Sequence, residues 1–280
     1  MAQVARKSTK WILFIILLIV AAVIIFPILG VLMNSFKANL FISSTGAFKL
    51  PDSQSFVGLA NYFNGADRIN FFSAFGYSLW ITIASVACIL LLTSMLAWYI
   101  TRVKGKVTSA IYYLLVFSMI VPFQMVMFTM SKFANMIHLD NPVGIIVLYV
   151  GFGCGMSTFM FSGFIKSIPL ALEEAAMIDG ATPVRTFFSV VLPMLKSTAI
   201  TIAILETMWV WNDYLMPYLV IGTEYRTIPV AIQYLRGGYG SVDMGAMMAM
   251  LVLAMIPVIV FFLTCQKYII KGVLAGAVKG

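Results

Sequence analysis

Two stretches of this chain carry residues whose types and spacing could do chemistry. The first is ETMWVWNDYLMPY, Glu206 to Tyr218, where Glu206, Trp209, Asn212 and Asp213 recur at three- and four-residue intervals and fall close to one face of a helix. Two carboxylates, an amide and an indole, with Trp211 and Tyr214 beside them, suit a polar solute that also presents an apolar face. A second reading makes Trp211, Tyr214 and Tyr218 anchors at a membrane–water interface, with Asp213 in a structural or gating pair and Glu206 in a polar cavity. A third uses Glu206 and Asp213 as an ion or proton site, which calls for repeated halves and midplane-broken helices; the sequence displays neither. The second stretch is EEAAMIDGATPVRTFFSVVLPM, Glu173 to Met194, polar and turn-punctuated where its surroundings are apolar. Glu173, Glu174 and Asp179 bring negative charge beside the small pair Ala175 and Ala176. That combination suits docking into a partner's cleft, and a solvated amphipathic connector would have the same composition.

Other chemistries find no residues to carry them. There is no G-x-x-x-x-G-K-[ST] phosphate loop, and the cluster GFGCG at Gly151 to Gly155 lacks the strand–turn–helix context of a nucleotide motif. Cys88, Cys154 and Cys265 lie at irregular spacing in apolar runs, and His138 has no neighbouring His or Cys, so neither a disulfide framework nor a zinc site is expected. An intramembrane enzyme would need a nucleophile or metal set that is not apparent, so no catalytic or metal-ligating residue is assigned. Gly151 and Gly155 read instead as a small-xxx-small packing pair, and the many methionines as adaptable core filler.

The elements that must position these residues follow from composition. The chain is 62% hydrophobic and 10% charged over 280 residues, with a mean hydropathy of +1.01; an ordinary soluble domain is about 25% charged. An all-α integral membrane domain spanning residues 1–280 is expected. A helix crossing the ~30 Å hydrocarbon layer needs about 20 residues, and six apolar segments reach that length: Trp11 to Met33, Phe71 to Tyr99, Thr108 to Met130, Val143 to Ile165, Ala199 to Ile221 and Met244 to Gln266. The first exceeds a signal-peptide core and no cleavage pattern follows it, so it reads as a retained span. The fifth carries Glu206 and Asp213. An uncompensated carboxylate there costs roughly 2.5–3.5 kcal/mol on the lenient insertion scale, so both must face polar surroundings or a partner.

Charge sets the orientation. Of 18 Lys and Arg residues, twelve fall on one side of the spans, at Arg6, Lys7, Lys10, Arg102, Lys104, Lys106, Lys166, Arg185, Lys196, Lys267, Lys271 and Lys279. The positive-inside bias makes that side cytoplasmic, with both termini on it and residues 166–198 as its longest loop. The net charge of +8 is therefore a topology signal, and no nucleic-acid partner is expected. Within the loop, Ser167 is expected to cap a helix that tolerates Pro169 in its first turn and runs through LALEEAAMID to a turn at Gly180. Thr182 and Pro183 then read as the cap and first position of a second helix, and Pro193 bends the chain into the fifth span.

The spacing Glu174-Ala175-Ala176, three residues, Gly180, nine residues, then Val190-Val191-Leu192-Pro193 resembles the EAA loop of ABC-importer permeases, with Val190 in place of the usual Ile. The longer string IPLALEEAAMIDGATPVRTFFSVVLPMLK is similar to the carbohydrate-uptake, maltose-type branch. NSFK after the first span, GLANYF in the first outer loop, WNDYLMPYLV, and the ending KGVLAGAVKG agree, the last resembling the six-span, maltose-G-type subunit. The resemblance implies a type I importer permease fold in a bacterial inner membrane. It also implies a homologous permease as partner in a pseudo-symmetric heterodimer, an extracytoplasmic solute-binding protein, and two cytoplasmic ATPase subunits that hold ATP and Mg, this chain binding no cofactor. Glu173, Glu174, Ala175, Ala176, Asp179, Gly180, Leu192 and Pro193 would form the ATPase-coupling segment. Ala275, Gly276 and Lys279 would contact the ATPases through the tail, and the residues around Trp209 would hold or gate a sugar.

Overall fold

The computed structural model describes residues 7–44, 46, 48–222, 224–235 and 242–277, with side chains described from 10 to 268 within those ranges. Among these residues the regular structure is helical, joined by turns and loops, with one isolated antiparallel bridge between Lys37 and Phe56. In chain order the helices are α1 (Lys7–Asn34), α2 (Asn39–Ser44), α3 (Ala60–Ile69), α4 (Phe71–Arg102), α5 (Lys106–Ser118), α6 (Phe123–Met136), α7 (Gly144–Ile165), α8 (Leu170–Ile178) and α9 (Pro183–Thr186). A π-helical turn at Phe187–Val191 follows, then α10 (Leu192–Met194), α11 (Lys196–Asn212), α12 (Leu215–Val220), α13 (Ile228–Gln233) and α14 (Met244–Ala277). Four helical stretches are long and apolar enough to cross a membrane: Lys10–Asn34, Phe71–Arg102, Gly144–Ile165 and Met244–Tyr268. Two bent pairs bring the number up to six if each counts as one span.

One of the bent pairs departs from the uninterrupted spans expected above. Thr108 to Met130 is not one helix: α5 ends at Ser118, α6 starts at Phe123, and they meet at 108°. Pro122 is the physical cause, since it sits extended at the N-cap of α6 with ψ 136° and disfavours helical geometry in the residue before it. The chain bends into the fifth span at Pro193, as expected. The stretches Pro183–Met194 and Lys196–Asn212 meet at 76°, and the π turn lies just before Pro193, which has no N–H to continue the α ladder. Ala199 to Ile221 is itself interrupted, because α11 stops at Asn212 and Asp213 is extended with ψ 125°. Broken helices are thus present in a chain whose sequence did not display them.

The chain resolves into two compact units, Met1–Phe71 with Ala231–Pro257, and Phe72–Val230 with Val258–Gly280. In the first, α1 leaves Trp11 to Leu29 largely uncovered, as an apolar helix in lipid would. Asn61 on α3 gathers the chain leaving α1: its amide donates to the carbonyls of Ser35 and Lys37, both at 2.8 Å. The hydroxyls of Ser35 and Tyr62 pair at 2.7 Å. Gly65 lets α3 approach Ala246 and Met250 of α14, where a Cβ would meet atoms at 3.1–3.3 Å, and Arg68 pairs with Asp243 at 2.6 Å. Lys37 is not a solvated loop charge but buried, its ammonium without a hydrogen-bond partner, and burial pushes its pKa down.

The second unit has two apolar clusters. One gathers Ile81, Ala134, Ile145, Tyr149, Val210, Met216, Val220 and Ile221. The other joins Ala97 of α4, Phe161 and Ile165 of α7, Ile168, Phe187 and Val191 of the π turn, Leu195, and Ile202 of α11. This second cluster is the floor on which the polar loop rests. Gly155 lets α7 close on α5, since a Cβ there would lie 2.7 Å from the Leu115 carbonyl, whereas a Cβ at Gly151 would meet nothing within 4 Å. Only one member of the expected small-xxx-small pair therefore serves close packing.

Candidate functional site

The polar loop folds as a helix, a tight turn and a second helix. Helix α8 begins at Leu170 with Pro169 at the N-cap, and Ser167 does not cap it: its hydroxyl donates back to the Phe164 carbonyl at 2.7 Å. At the other end Gly180 adopts φ +84°, the Gly180 N–H donates to Met177 O at 3.0 Å and the Ala181 N–H to Ala176 O at 3.0 Å. Those are the two bonds of a Schellman stop, which needs a left-handed residue and so favours glycine. Thr182 then caps α9, its hydroxyl oxygen accepting from the Arg185 N–H at 3.3 Å, with Pro183 in the first turn.

Charge in this loop is divided between inside and outside. Glu173 is 1% exposed, and three donors converge on its carboxylate: Trp98 Nε1 reaches Oε2 at 2.9 Å, while Arg102 Nε and Nη2 reach Oε1 at 2.9 and 2.6 Å. Arg102 Nη2 also donates to the Ile168 carbonyl at 3.0 Å. Trp98 packs its ring on Phe187, centroids 5.5 Å apart. Glu173 is therefore not part of an exposed acidic face; it is an internal strut fixing α8 to the end of α4. Glu174, Ala175, Asp179 and Gly180 are exposed, Ala176 and Leu192 are half-buried, and Pro193 is exposed beyond the π turn. Trp98 and Arg102 went unassigned in the sequence because they lie 75 and 71 positions from Glu173, and Arg102 registers there only as a topology charge.

The residues of the fifth span are sorted by helix α7. Tyr149, Gly153 and Ser157 recur every four residues and make one buried ridge facing α11. The Ser157 hydroxyl donates to Glu206 Oε1 at 2.8 Å, and a Cβ on Gly153 would lie 3.1 Å from Glu206 Oε2. Oε2 itself is buried without a hydrogen-bond partner. One turn further along, Tyr149 OH donates to Asp213 Oδ2 at 3.0 Å, while Oδ1 accepts from the Leu215 and Met216 N–H groups at 2.9 and 3.4 Å. Asp213 thereby ends one helix and starts the next, and its structural partner is a tyrosine of its own chain.

Trp209 stands edge-on to Tyr149, centroids 5.3 Å apart, and is 38% exposed. Asn212 is exposed with its amide returned to the Met208 carbonyl at 2.7 Å. Trp211 points the other way, buried edge-on to Phe75, and Tyr214 stacks on Tyr218 at 5.3 Å. The structure thus brings Glu206, Trp209 and Asp213 onto one ridge of α7 and leaves Trp211 out. Tyr149 and Ser157 were missed in the sequence, where their only signal is two hydroxyl residues eight positions apart in an apolar span. The side chains of Ala275 and Gly276, and Lys279 altogether, lie outside the described residues. Among the described residues no group of three His, Cys, Asp or Glu side chains could hold a metal ion.

Comparison with known proteins gives these features a family. Residues 90–274 match the family described as binding-protein-dependent transport system inner membrane component. The chain is 36% identical over 271 residues to the "Probable starch degradation products transport system permease protein AmyC" of Thermoanaerobacterium thermosulfurigenes, covering 96% of this chain and 97% of that one. It is 31% identical over 283 residues to the melibiose/raffinose/stachyose import permease protein MelC of Bacillus subtilis strain 168, covering 99% and 100%. Its fold matches a chain in the crystal structure of a bacterial ABC transporter involved in the import of the acidic polysaccharide alginate, with a TM-score of 0.79 at 20% identity over 96% of this chain and 99% of that one. Apolar helices in number, the helix–turn–helix loop and a match that extends over most of its length lead to one conclusion: the chain belongs to the inner-membrane components of binding-protein-dependent transport systems, the permeases of ABC importers.

Proposed function

We propose that this chain is one permease subunit of an ATP-driven, binding-protein-dependent importer of an oligosaccharide. It would line half of the pathway beside a homologous permease, receive solute from an extracytoplasmic binding protein, and take its energy from two ATPase subunits that hold ATP and Mg. The chain itself hydrolyses nothing in this reading, binds no cofactor, and forms one transmembrane domain over residues 1–280 with both termini in the cytoplasm. The relatives named for starch products and for melibiose, raffinose and stachyose support the sugar. The observation that carries the mechanism is the clamp of Trp98 and Arg102 on Glu173. A helix held to a membrane span by a buried ion pair moves with that span, so displacement of α8 by a partner would be passed on and not absorbed.

In this arrangement Glu174, Ala175, Ala176, Asp179 and Gly180 meet the ATPase, Glu173 transmits, and Leu192 and Pro193 set the bend into the pathway helix. Trp209 offers a ring to the apolar face of a sugar, with Asn212 for hydroxyls, while Glu206 stays buried against Gly153 and Ser157. Asp213 holds the break in the helix, with Tyr214 at its exit. Ala275, Gly276 and Lys279 belong to a tail reaching the ATPases. The ion-coupled alternative is not favoured, because the matching family is of binding-protein-dependent transport components and the relatives are named as sugar transport permeases. Proteoliposomes carrying the assembled complex test the reading: oligosaccharide uptake should require ATP and the binding protein, and a proton gradient alone should drive none. Uptake by the gradient without ATP would overturn it.

A further inference from the structure

A cavity of about 410 Å³ opens between the ends of α4, α5 and α7, with Thr101, Lys104, Thr108, Tyr112, Ser162 and Lys166 in its lining. No carboxylate lines it. Thr101 and Thr108 donate their hydroxyl protons to the carbonyls of Ala97 and Gly105, at 2.7 and 3.0 Å. The remaining donors point to an anion. Ser162 is 1% exposed and its hydroxyl has no hydrogen-bond partner, which is costly for a buried polar group unless something fills the site. Lys166 is held over the Tyr112 ring at 5.5 Å from its centroid, and Lys104 lines the cavity with it, so two ammonium groups serve the site. Helix α5 starts at Lys106 and its first-turn Thr108 lines the cavity, so this helix N-terminus adds positive potential there.

We propose that this cavity binds the phosphate group of an anionic phospholipid from the cytoplasmic leaflet. Ser162 and the two lysines hold the phosphate oxygens, and the acyl chains run along the outer side of α5. That side is apolar and uncovered: Val107, Leu114 and Phe117 are each at least 61% exposed. A basic pocket between spanning helices on the cytoplasmic side is the setting in which anionic headgroups are recognised. Lys104 is two residues from Arg102, the partner of Glu173, so an occupied pocket would stiffen the α4 end on which α8 is held. The leaflet assignment rests on the orientation proposed above; the pocket chemistry does not.

The test uses the assembled transporter in nanodiscs of phosphatidylcholine with and without phosphatidylglycerol, read by native mass spectrometry after delipidation. Wild type should retain phosphatidylglycerol in preference to phosphatidylcholine. A Lys104→Gln/Lys166→Gln variant should lose about thirtyfold in that preference, since each basic side chain at an anionic surface contributes roughly fivefold. Ser162→Ala removes one donor to the phosphate that both lipids carry, so it should lower the retention of each about fivefold and leave the preference unchanged. Equal retention by wild type and both variants would overturn the proposal. So would stabilisation by inorganic phosphate, at constant ionic strength, that matches the lipid's, because the site would then serve a soluble phosphate. Solute-stimulated ATPase is read on the same samples: retained lipid with no stimulation upholds the lipid site and counts against the importer reading instead.

Discussion

At the scale of single residues, the strongest constraint is the carboxylate of Glu173, buried with three donors on it. Removing one partner of a buried ion pair costs about 3–5 kcal/mol, because the other charge is left uncompensated, whereas replacing both by apolar residues is often neutral. Glu173→Met alone should therefore lower the thermal midpoint of the purified complex sharply, and Arg102→Met/Glu173→Met should recover most of it. If the clamp transmits motion, the double variant should fold and still import poorly; native uptake by that variant would remove the strut from the mechanism. Trp209 presents the opposite case, its ring half in the open and one edge on Tyr149. Trp209→Ala should lower oligosaccharide uptake severalfold while basal ATP hydrolysis and assembly stay near wild type, since the Glu206–Ser157 and Asp213–Tyr149 bonds do not pass through it. A proportional fall in uptake and basal hydrolysis would make it a packing residue.

At the scale of elements, turns decide the outcome. The α8 stop places Gly180 at φ +84° with two bonds closing the helix end. Gly180→Val should cost about 1–2 kcal/mol through the left-handed backbone alone. It should uncouple hydrolysis from transport by loosening the angle between α8 and α9, measured as ATPase activity that no longer responds to solute. The turn at Asp52 gives a pH-dependent counterpart outside the membrane. Bonds from the Ser55 hydroxyl and N–H, with Lys49 and the Gln54 N–H adding to them, hold the Asp52 carboxyl down to about 2 from its usual 3.8. A depressed folded pKa stabilises fully above the unfolded value and is lost as pH falls through the folded one. The turn should therefore stay closed above pH 3.8 and open progressively towards pH 2, seen as faster amide exchange at Gln54 and Ser55. Asp52→Asn should abolish that pH dependence.

At the scale of the whole molecule, the chain is a run of apolar helices interrupted at a few proline-marked and polar positions. Composition and span length made the membrane setting legible, because hydrocarbon forces every backbone group into helix and so writes each span as about 20 apolar residues. The loop from Leu170 to Thr186 was equally legible, since a proline, a glycine and a capping threonine act locally, within a few residues of where they stand. The sequence by itself thus determined the membrane class, the helix–turn–helix loop and the short list of polar residues in the fifth span. Tertiary structure alone decided the rest. It turned Glu173 inward to Trp98 and Arg102, set Ser157 and Tyr149 against Glu206 and Asp213, and made Asp213 the end of a helix rather than its interior. The reason is that hydrophobic length is a sum over neighbouring residues, while the partner of a buried polar group is fixed by which helix face packs beside it, 49 to 75 positions away along the chain.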